Sequence, residues 1–187
     1  MTERQEFKVL RTYEDFELRE YLPCVIAEVK VSAQSSNATS SAFSSLFNYI
    51  SKGNRASQKI AMTAPVITAQ KTDKSESATW FVSFVMPSGS TFGHLPDPHD
   101  PQIKLRELPT ETCVAKSFRG RATDELSRKL TDALRTSVSK VNIALSDETR
   151  ICRFDPPFKP GFLQYNEIVI PAYLDSQPRS GMGSDTY

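Results

Sequence analysis

The first residues in this chain that could do chemistry together are four apolar side chains and the cations just after them. Phe43, Leu46, Phe47 and Ile50 fall at i, i+3, i+4 and i+7, one stripe of an amphipathic helix. Lys52, Arg55 and Lys59 follow closely. Such a stripe either packs on a sheet or walls an apolar ligand, and two phenylalanines on one short helix leave room for both. The cations are either solvated surface or partners for anionic groups on that ligand. Phe158 and Lys159, inside the run Asp155-Pro156-Pro157-Phe158-Lys159-Pro160, offer a second aromatic and cationic pair.

Other reactive residue types form no recognisable constellation. His94 and His99 carry imidazoles that could ligate a metal, but they sit in a proline-rich stretch with no neighbouring ligand pattern, so no metal ligand is assigned. Cys24, Cys113 and Cys152 are far apart and lack a CxxC pair, and they read as small buried apolar residues in a reducing compartment. Met62 and Met86 read as core filler. Tyr13, Tyr21, Tyr49 and Tyr165 could each approach a ligand, and nothing selects among them. There is no GxSxG, HExxH, Walker or dinucleotide motif, which points to a binder and not an enzyme.

Composition bounds the surroundings of these residues. At 187 residues, 39% hydrophobic and 24% charged, the chain fits one compact domain with a real core. That domain is expected over residues 1–173, with a disordered tail at 174–187. Lys plus Arg number 23 against 22 for Asp plus Glu, so no global field draws in nucleic acid. No run approaches the length of an apolar membrane span, and the polar Met1–Glu6 stretch lacks the apolar core of a signal or transit peptide. A cytoplasmic location is the expectation.

The elements that must position the candidates come in two copies. Leu18-Arg19-Glu20 leads to Leu22-Pro23 and an apolar run from Cys24 to Val31, and Leu105-Arg106-Glu107 leads to Leu108-Pro109 and a run from Cys113 to Phe118. A helix pattern follows each run. Each half closes on an apolar strand ended by proline, Phe84-Val85-Met86-Pro87 and Ile168-Val169-Ile170-Pro171. Two halves at about 13–87 and 103–171 are each too small to bury a sheet face, so they are expected to pack as pseudo-symmetric βαββ repeats around a shared core with a concave seam.

Within the halves, alternation from Val25 to Val31 predicts a strand, and Phe16–Tyr21 is expected to pair with it. Residues 34–39 are rich in capping side chains, and Gly53-Asn54 marks the end of the first helix. The second helix is expected to be capped near Thr123, with Asp124 and Glu125 in its first turn and Leu126, Leu130, Ala133, Leu134 and Val141 facing inward. Residues 71–77 read as a charged hairpin or loop.

Several strings carry a family resemblance: KIAMTAPV at Lys59–Val66, FVMPS at Phe84–Ser88, FDPPFKP at Phe154–Pro160 and NEIVIP at Asn166–Pro171. Together with the LRE that opens the second half, they resemble the SOUL, or haem-binding protein, family from about Tyr13 to Pro171. The resemblance implies an α+β fold in which the two repeats form a distorted eight-stranded antiparallel sheet or barrel flanked by two helices. It also implies reversible, non-covalent binding of haem or another tetrapyrrole on a hydrophobic face near the first helix, without a strong axial ligand. On that reading Phe43, Leu46, Phe47 and Ile50 form the wall, and Lys52, Arg55, Lys59 and Lys159 meet the propionates beside Phe158. Some members carry a histidine where this chain has Glu20, which favours hydrophobic capture over histidine ligation. The fold also resembles the effector-binding domains of bacterial regulators, so a ligand-responsive interaction module is the alternative.

Overall fold

The computed structural model describes residues 2–31, 36–72 and 78–174. Residues 175–187 of the expected tail and 73–77 of the charged connection therefore lie outside the described residues, as do 34–35 of the capping stretch.

Short runs of alternating, β-branched-rich sequence form the strands. In chain order they are β1 (Glu3–Arg4), β2 (Phe7–Thr12), β3 (Glu17–Tyr21), β4 (Cys24–Val31), β5 (Thr63–Ala64), β6 (Val66–Thr72), β7 (Ala78–Val85), β8 (Ile103–Leu108), β9 (Glu111–Arg119), β10 (Ala144–Leu145), β11 (Thr149–Arg153) and β12 (Tyr165–Tyr173). Helix α1 spans Ser36–Ser51 and α2 spans Asp124–Ser139. The fold is α+β. Nine strands curl into an antiparallel half-barrel in the order β2-β3-β9-β12-β11-β6-β7-β4-β8, with β10 beside β12 and β1 pairing with β5 in parallel. The strand beyond the implied eight is β2, which precedes the repeated segment and pairs with β3.

With β2 left aside, the order of the remaining eight strands reads the same from either end when β3, β4, β6 and β7 are exchanged for β8, β9, β11 and β12. Its midpoint is the β6·β11 pair, with Cys152 opposite Ile67. The expected pairing of Phe16–Tyr21 with the next strand does not occur: β3 pairs with β2 and β9, and β4 pairs with β7 and β8. Only Leu22-Pro23 separates β3 from β4, and a two-residue hairpin needs φ > 0 at its first loop position, which leucine disfavours, while Pro23 holds φ at about −65°. Each Leu-Arg-Glu strand instead lies against the long strand of the other half. Pro171 does not end β12, which runs on to Tyr173, paired with β10 through Leu145 and Ala172.

Alternation sends the two faces of the sheet into different cores. Val25, Ala27, Val29, Val82 and Phe84 pack with Ala42, Leu46, Tyr49 and Ile50 of α1. Leu18, Val114, Ile168 and Ile170 pack with Leu134 and Val138 of α2. Ile26, Ile67, Val85, Cys113, Cys152 and Val169 point the other way, into the hollow of the sheet. Both helices therefore lie on one face.

The buried stripe of α1 is rotated from the expected one, because Ala42 and Tyr49 turn inward while Phe47 is 49% exposed. Periodicity fixes the period of a stripe better than its phase, and a small alanine weighs little in reading it. The helix ends as its sequence suggests. A Cβ at Gly53 would lie 2.4 Å from Asn48 Nδ2 and 2.8 Å from Asn48 O, so no larger residue fits. The fully buried Asn54 donates to Tyr49 O (2.9 Å) and Gln58 O (2.7 Å) and accepts from Gln58 N (3.0 Å). In α2, Thr123 caps by accepting from Leu126 N. Leu134 is buried as expected, but Ala133 is exposed, Val141 lies beyond the helix, and Val138 takes the inner position.

The Lys59–Val66 string links the first half together. Ile60 N donates to Ile50 O (2.8 Å), Thr63 Oγ1 donates to Val85 O, and the Ala64–Pro65 bond is cis. Met62 is 42% exposed and not core filler, unlike Met86 at 2%.

Candidate ligand-binding cleft

The two helices leave an open cleft of about 630 Å³ between them, over the middle of the sheet. Thr39, Ser40, Phe43 and Ser44 of α1 form one wall, and Arg121, Ala122 and Asp124 at the start of α2 form the other. Val66 and Thr68 of β6, Arg153 of β11 and Asn166 of β12 form the floor. The volume is within the usual range for a small-molecule site, and a concave space between helices is one of the places where such sites form.

Local sequence explains the positions. Phe43 stands edge-on to Phe84 of β7 at 5.2 Å and 65°, and stacks with Phe47 at 6.2 Å and 11°. It thus touches both core and cleft. The third side is the loop from Asp155 to Gln164, whose many prolines are braced by side chains. Asp155 pairs with Lys159 (2.8 Å) and accepts from Tyr165 N (2.7 Å), and Gln164 Nε2 donates to Lys159 O (3.0 Å). Asn166 Nδ2 donates to Gly120 O (2.7 Å), fixing the turn into α2. There Gly120 takes φ +121°, a conformation side chains disfavour.

The electrostatics of the cleft centre on Arg153. Its Nη1 donates to Thr68 Oγ1 at 2.8 Å, and among the described residues it forms no ion pair. Burial holds this guanidinium below the ordinary arginine value, and the charges of Cys152 and Asp124 only partly oppose that. Arg121, exposed on the α2 side, adds a second guanidinium. Asp155, which lines the opposite side, is held below the usual carboxylate range by its bonds to Lys159 and Tyr165 N. A fork of N–H donors short of acceptors suits a carboxylate.

The residues expected from the sequence fall unevenly around this cleft. Phe43 lines it, and Phe47 stacks on Phe43 at the surface. Leu46 and Ile50 are 0% and 4% exposed, so they serve the core and offer no wall. Lys52, Arg55 and Lys59 are exposed beyond the far end of α1. Nine residues of helical rise separate Lys52 from Phe43, about 13 Å, and none of the three lines the cleft. Lys159 reaches it through Asp155, while Phe158 projects into solvent, 88% exposed. His94 and His99 are exposed in the connection between the halves, with His94 Nδ1 2.5 Å from Thr91 Oγ1. Glu20 is half-buried on β3, opposite Thr112 and Lys8.

Sequence reasoning missed Arg153 and Arg121. One signal existed for Arg153: it shares a strand face with Ile151, which packs toward α2, so its side chain had to lie on the helix side.

It also missed an ionic network on the other sheet face. Arg19, 5% exposed, makes a two-bond pair with Glu167 (2.9 and 3.1 Å), bonds Glu17 (2.7 Å) and Tyr21 (3.2 Å), and covers the Phe7 ring at 4.1 Å. Tyr165 Oη donates to Glu167 Oε1 at 2.6 Å. Arg150 pairs with Glu111 (2.5 and 3.0 Å) and Glu148 (2.6 Å). Arg19, Tyr21, Arg150, Tyr165 and Glu167 line a small space of about 90 Å³, and the carboxylates of the network satisfy the guanidiniums of Arg19 and Arg150. Burial pushes the free thiols up, Cys24 to about 11 and Cys152 to about 12, with Cys113 raised as well. None is poised as a nucleophile or soft ligand. Among the described residues no cluster of three metal-ligating side chains forms, and no helix is long and apolar enough to cross a membrane.

The same fold occurs in solved structures of low sequence identity. The EcmrR C-terminal domain is 17% identical over 89% of this chain and 98% of its own, with a TM-score of 0.62. A hydrolase from Listeria innocua is 11% identical over 88% and 94%, with a TM-score of 0.57. SAV2435 bound to tetraphenylphosphonium is 8% identical over 85% and 94%, with a TM-score of 0.56. At these identities the likeness is one of fold. No curated protein matches the chain in sequence. The family model described as SOUL heme-binding protein matches residues 2–171, so the chain belongs to the SOUL heme-binding protein family.

Proposed function

We propose that the cleft between α1 and α2 binds haem or another tetrapyrrole reversibly, as cargo that the protein buffers or carries in the cytoplasm. The observation that carries this reading is the pairing, in one open cleft, of an aromatic wall at Phe43 with guanidiniums at Arg121 and Arg153. A porphyrin is a flat apolar ring with two carboxylates at one edge, and these residues fit both parts. The ring buries apolar surface against α1 and the floor, and the carboxylates meet the guanidiniums. No axial protein ligand enters this reading, because both histidines lie outside the lining. Affinity without a coordinate bond is modest, nearer micromolar than picomolar, which suits transfer. The protein acts as a binder without turnover, and nucleic acid is not its partner.

Titration with haemin, followed at the Soret band, tests this. A saturable shift at one haemin per chain is expected, retained when His94 and His99 are both replaced by alanine. Absence of any shift at low micromolar haemin contradicts it.

A second reading is a ligand-responsive interaction module, favoured by the fold shared with the EcmrR C-terminal domain. The SAV2435 structure holds a hydrophobic cation, whereas Arg121 and Arg153 oppose one here. Tighter binding of tetraphenylphosphonium than of haemin would favour this second reading.

A further inference from the structure

Beneath the first turns of α2 the cleft continues into a smaller pocket of about 110 Å³, which shares Thr68, Asp124 and Arg153 with it. Ser127, 7% exposed, lines this pocket, and its Oγ is buried without a hydrogen-bond partner among the described residues. That is unusual for a helical hydroxyl, which normally donates to the carbonyl four residues back. Thr131 and Thr136 on the same helix do so, to Ser127 O (2.8 Å) and Asp132 O (2.9 Å). The other hydroxyls facing the pocket are also occupied, Thr68 by Arg153 and Thr149 by Arg135 Nη2 at 3.0 Å. Ser127 is the exception, and a buried hydroxyl left unpaired in the free protein has a hydrogen bond to offer a group entering the pocket.

The charge balance says which kind. Arg128 and Arg153 line the pocket against one acid, Asp124, leaving room for a single further negative charge. Arg153 has donors to spare beyond its bond to Thr68. A volume of about 110 Å³ holds a carboxylate group and is too small for a porphyrin macrocycle.

We propose that this pocket receives a carboxylate of the ligand, anchored by Arg153 and Ser127 while the apolar body stays in the wider cleft. The ligand class is then a ring-sized apolar acid bound acid end first. This rests on the tetrapyrrole reading for the identity of the body but not for the carboxylate site.

Two probes separate the claims. Haemin and haemin dimethyl ester are titrated into the wild type, Ser127→Ala and Arg153→Gln, following the Soret band. Acetate and its neutral isostere acetamide are titrated separately, following the nitrogen-15 signals of the Ser127 amide and Arg153 Nε. The free acid should bind the wild type about tenfold more tightly than the ester, the size of one charge-assisted hydrogen bond. Both variants should bring that ratio toward one, and acetate alone should move the signals. Ser127→Ala should melt no lower than the parent, since it removes an unpaired hydroxyl, whereas a purely structural Ser127 would lower the melting point. Haemin and its ester binding alike in all three proteins, with no response to acetate, overturns the pocket and leaves the tetrapyrrole reading standing. An acetate response without porphyrin binding keeps the pocket and overturns the tetrapyrrole reading.

Discussion

Arg153 Nη1 donates to Thr68 Oγ1 across 2.8 Å, tying β11 to β6 at the point where the two halves of the sheet meet. The bond holds a half-buried guanidinium in the floor of the cleft without neutralising it. Threonine offers geometry but no charge, so the remaining donors stay available to a ligand. Replacing Thr68 with valine should free the guanidinium to swing and weaken haemin binding by roughly threefold to tenfold, about one neutral hydrogen bond. Unchanged affinity in Thr68→Val, by Soret titration, would show that Arg153 needs no such tether.

The phase of α1 sets core against surface one residue apart. Leu46→Ala should cost about 2–5 kcal/mol in urea unfolding, because a fully buried leucine is lost. Phe47→Asp should cost only about 1 kcal/mol, since the ring is half exposed and loses only its outer packing on Phe43, yet weaken haemin binding by placing a carboxylate beside the aromatic wall. Equal destabilisation by both would mean that Phe47 packs inside.

The pair formed by Arg19 and Glu167 is buried on both sides, at 6% and 4% side-chain exposure. Glu167→Ala removes the two-bond partner and leaves Arg19 with Glu17 alone on its Nε side, and should cost about 2–4 kcal/mol. The Arg19→Met, Glu167→Leu double variant should recover much of this. Additive losses in the double variant would contradict the pairing.

Acid should weaken the fold through Glu148. Burial tends to raise its carboxyl, but Arg150 and Lys71 together outweigh that and hold it below the ordinary value of 4.5. A carboxyl lowered on folding stabilises the native state above its unfolded value, and this contribution is lost as pH falls through the folded value. Unfolding free energy should therefore fall as pH drops below about 4.5, and Glu148→Gln should flatten that slope. An identical slope in the variant would remove Glu148 from the cause.

Thiol labelling at pH 8 should be slow throughout the native protein. Cys24, raised to about 11 and only partly buried, should react before Cys113 and Cys152, and all three should react at once in urea. Rapid native reaction of Cys152 would contradict its burial.

Much of this architecture was legible in residue order. The Leu-Arg-Glu strings, the two helices and the Gly53-Asn54 stop could be read because local periodicity and capping chemistry act over a few residues. Strand pairing could not. Whether β3 lies against β4 or β9 depends on contacts about a hundred residues apart, and the alternating pattern is the same in either case. The Arg19–Glu167 pair was hidden for a related reason. Glu17, Arg19 and Tyr21 alternate as a solvent face would, and only the curl of the sheet buries them. In the cleft, aromatic spacing found Phe43, whereas Arg121 and Arg153 come from a turn and a strand that meet only after folding. The cations nearest to Phe43 in sequence were carried away along the helix axis.

Line broadening by bound haemin tests the central claim most directly. Ferric haemin is paramagnetic, so it bleaches the amide signals of residues around it in a nitrogen-15 spectrum. Bleaching should centre on 39–44 of α1, 66–68 of β6, 121–124 and 153, while signals at 94–99 and 52–59 persist. Bleaching centred on His94 and His99, with the cleft signals intact, would contradict binding between the helices.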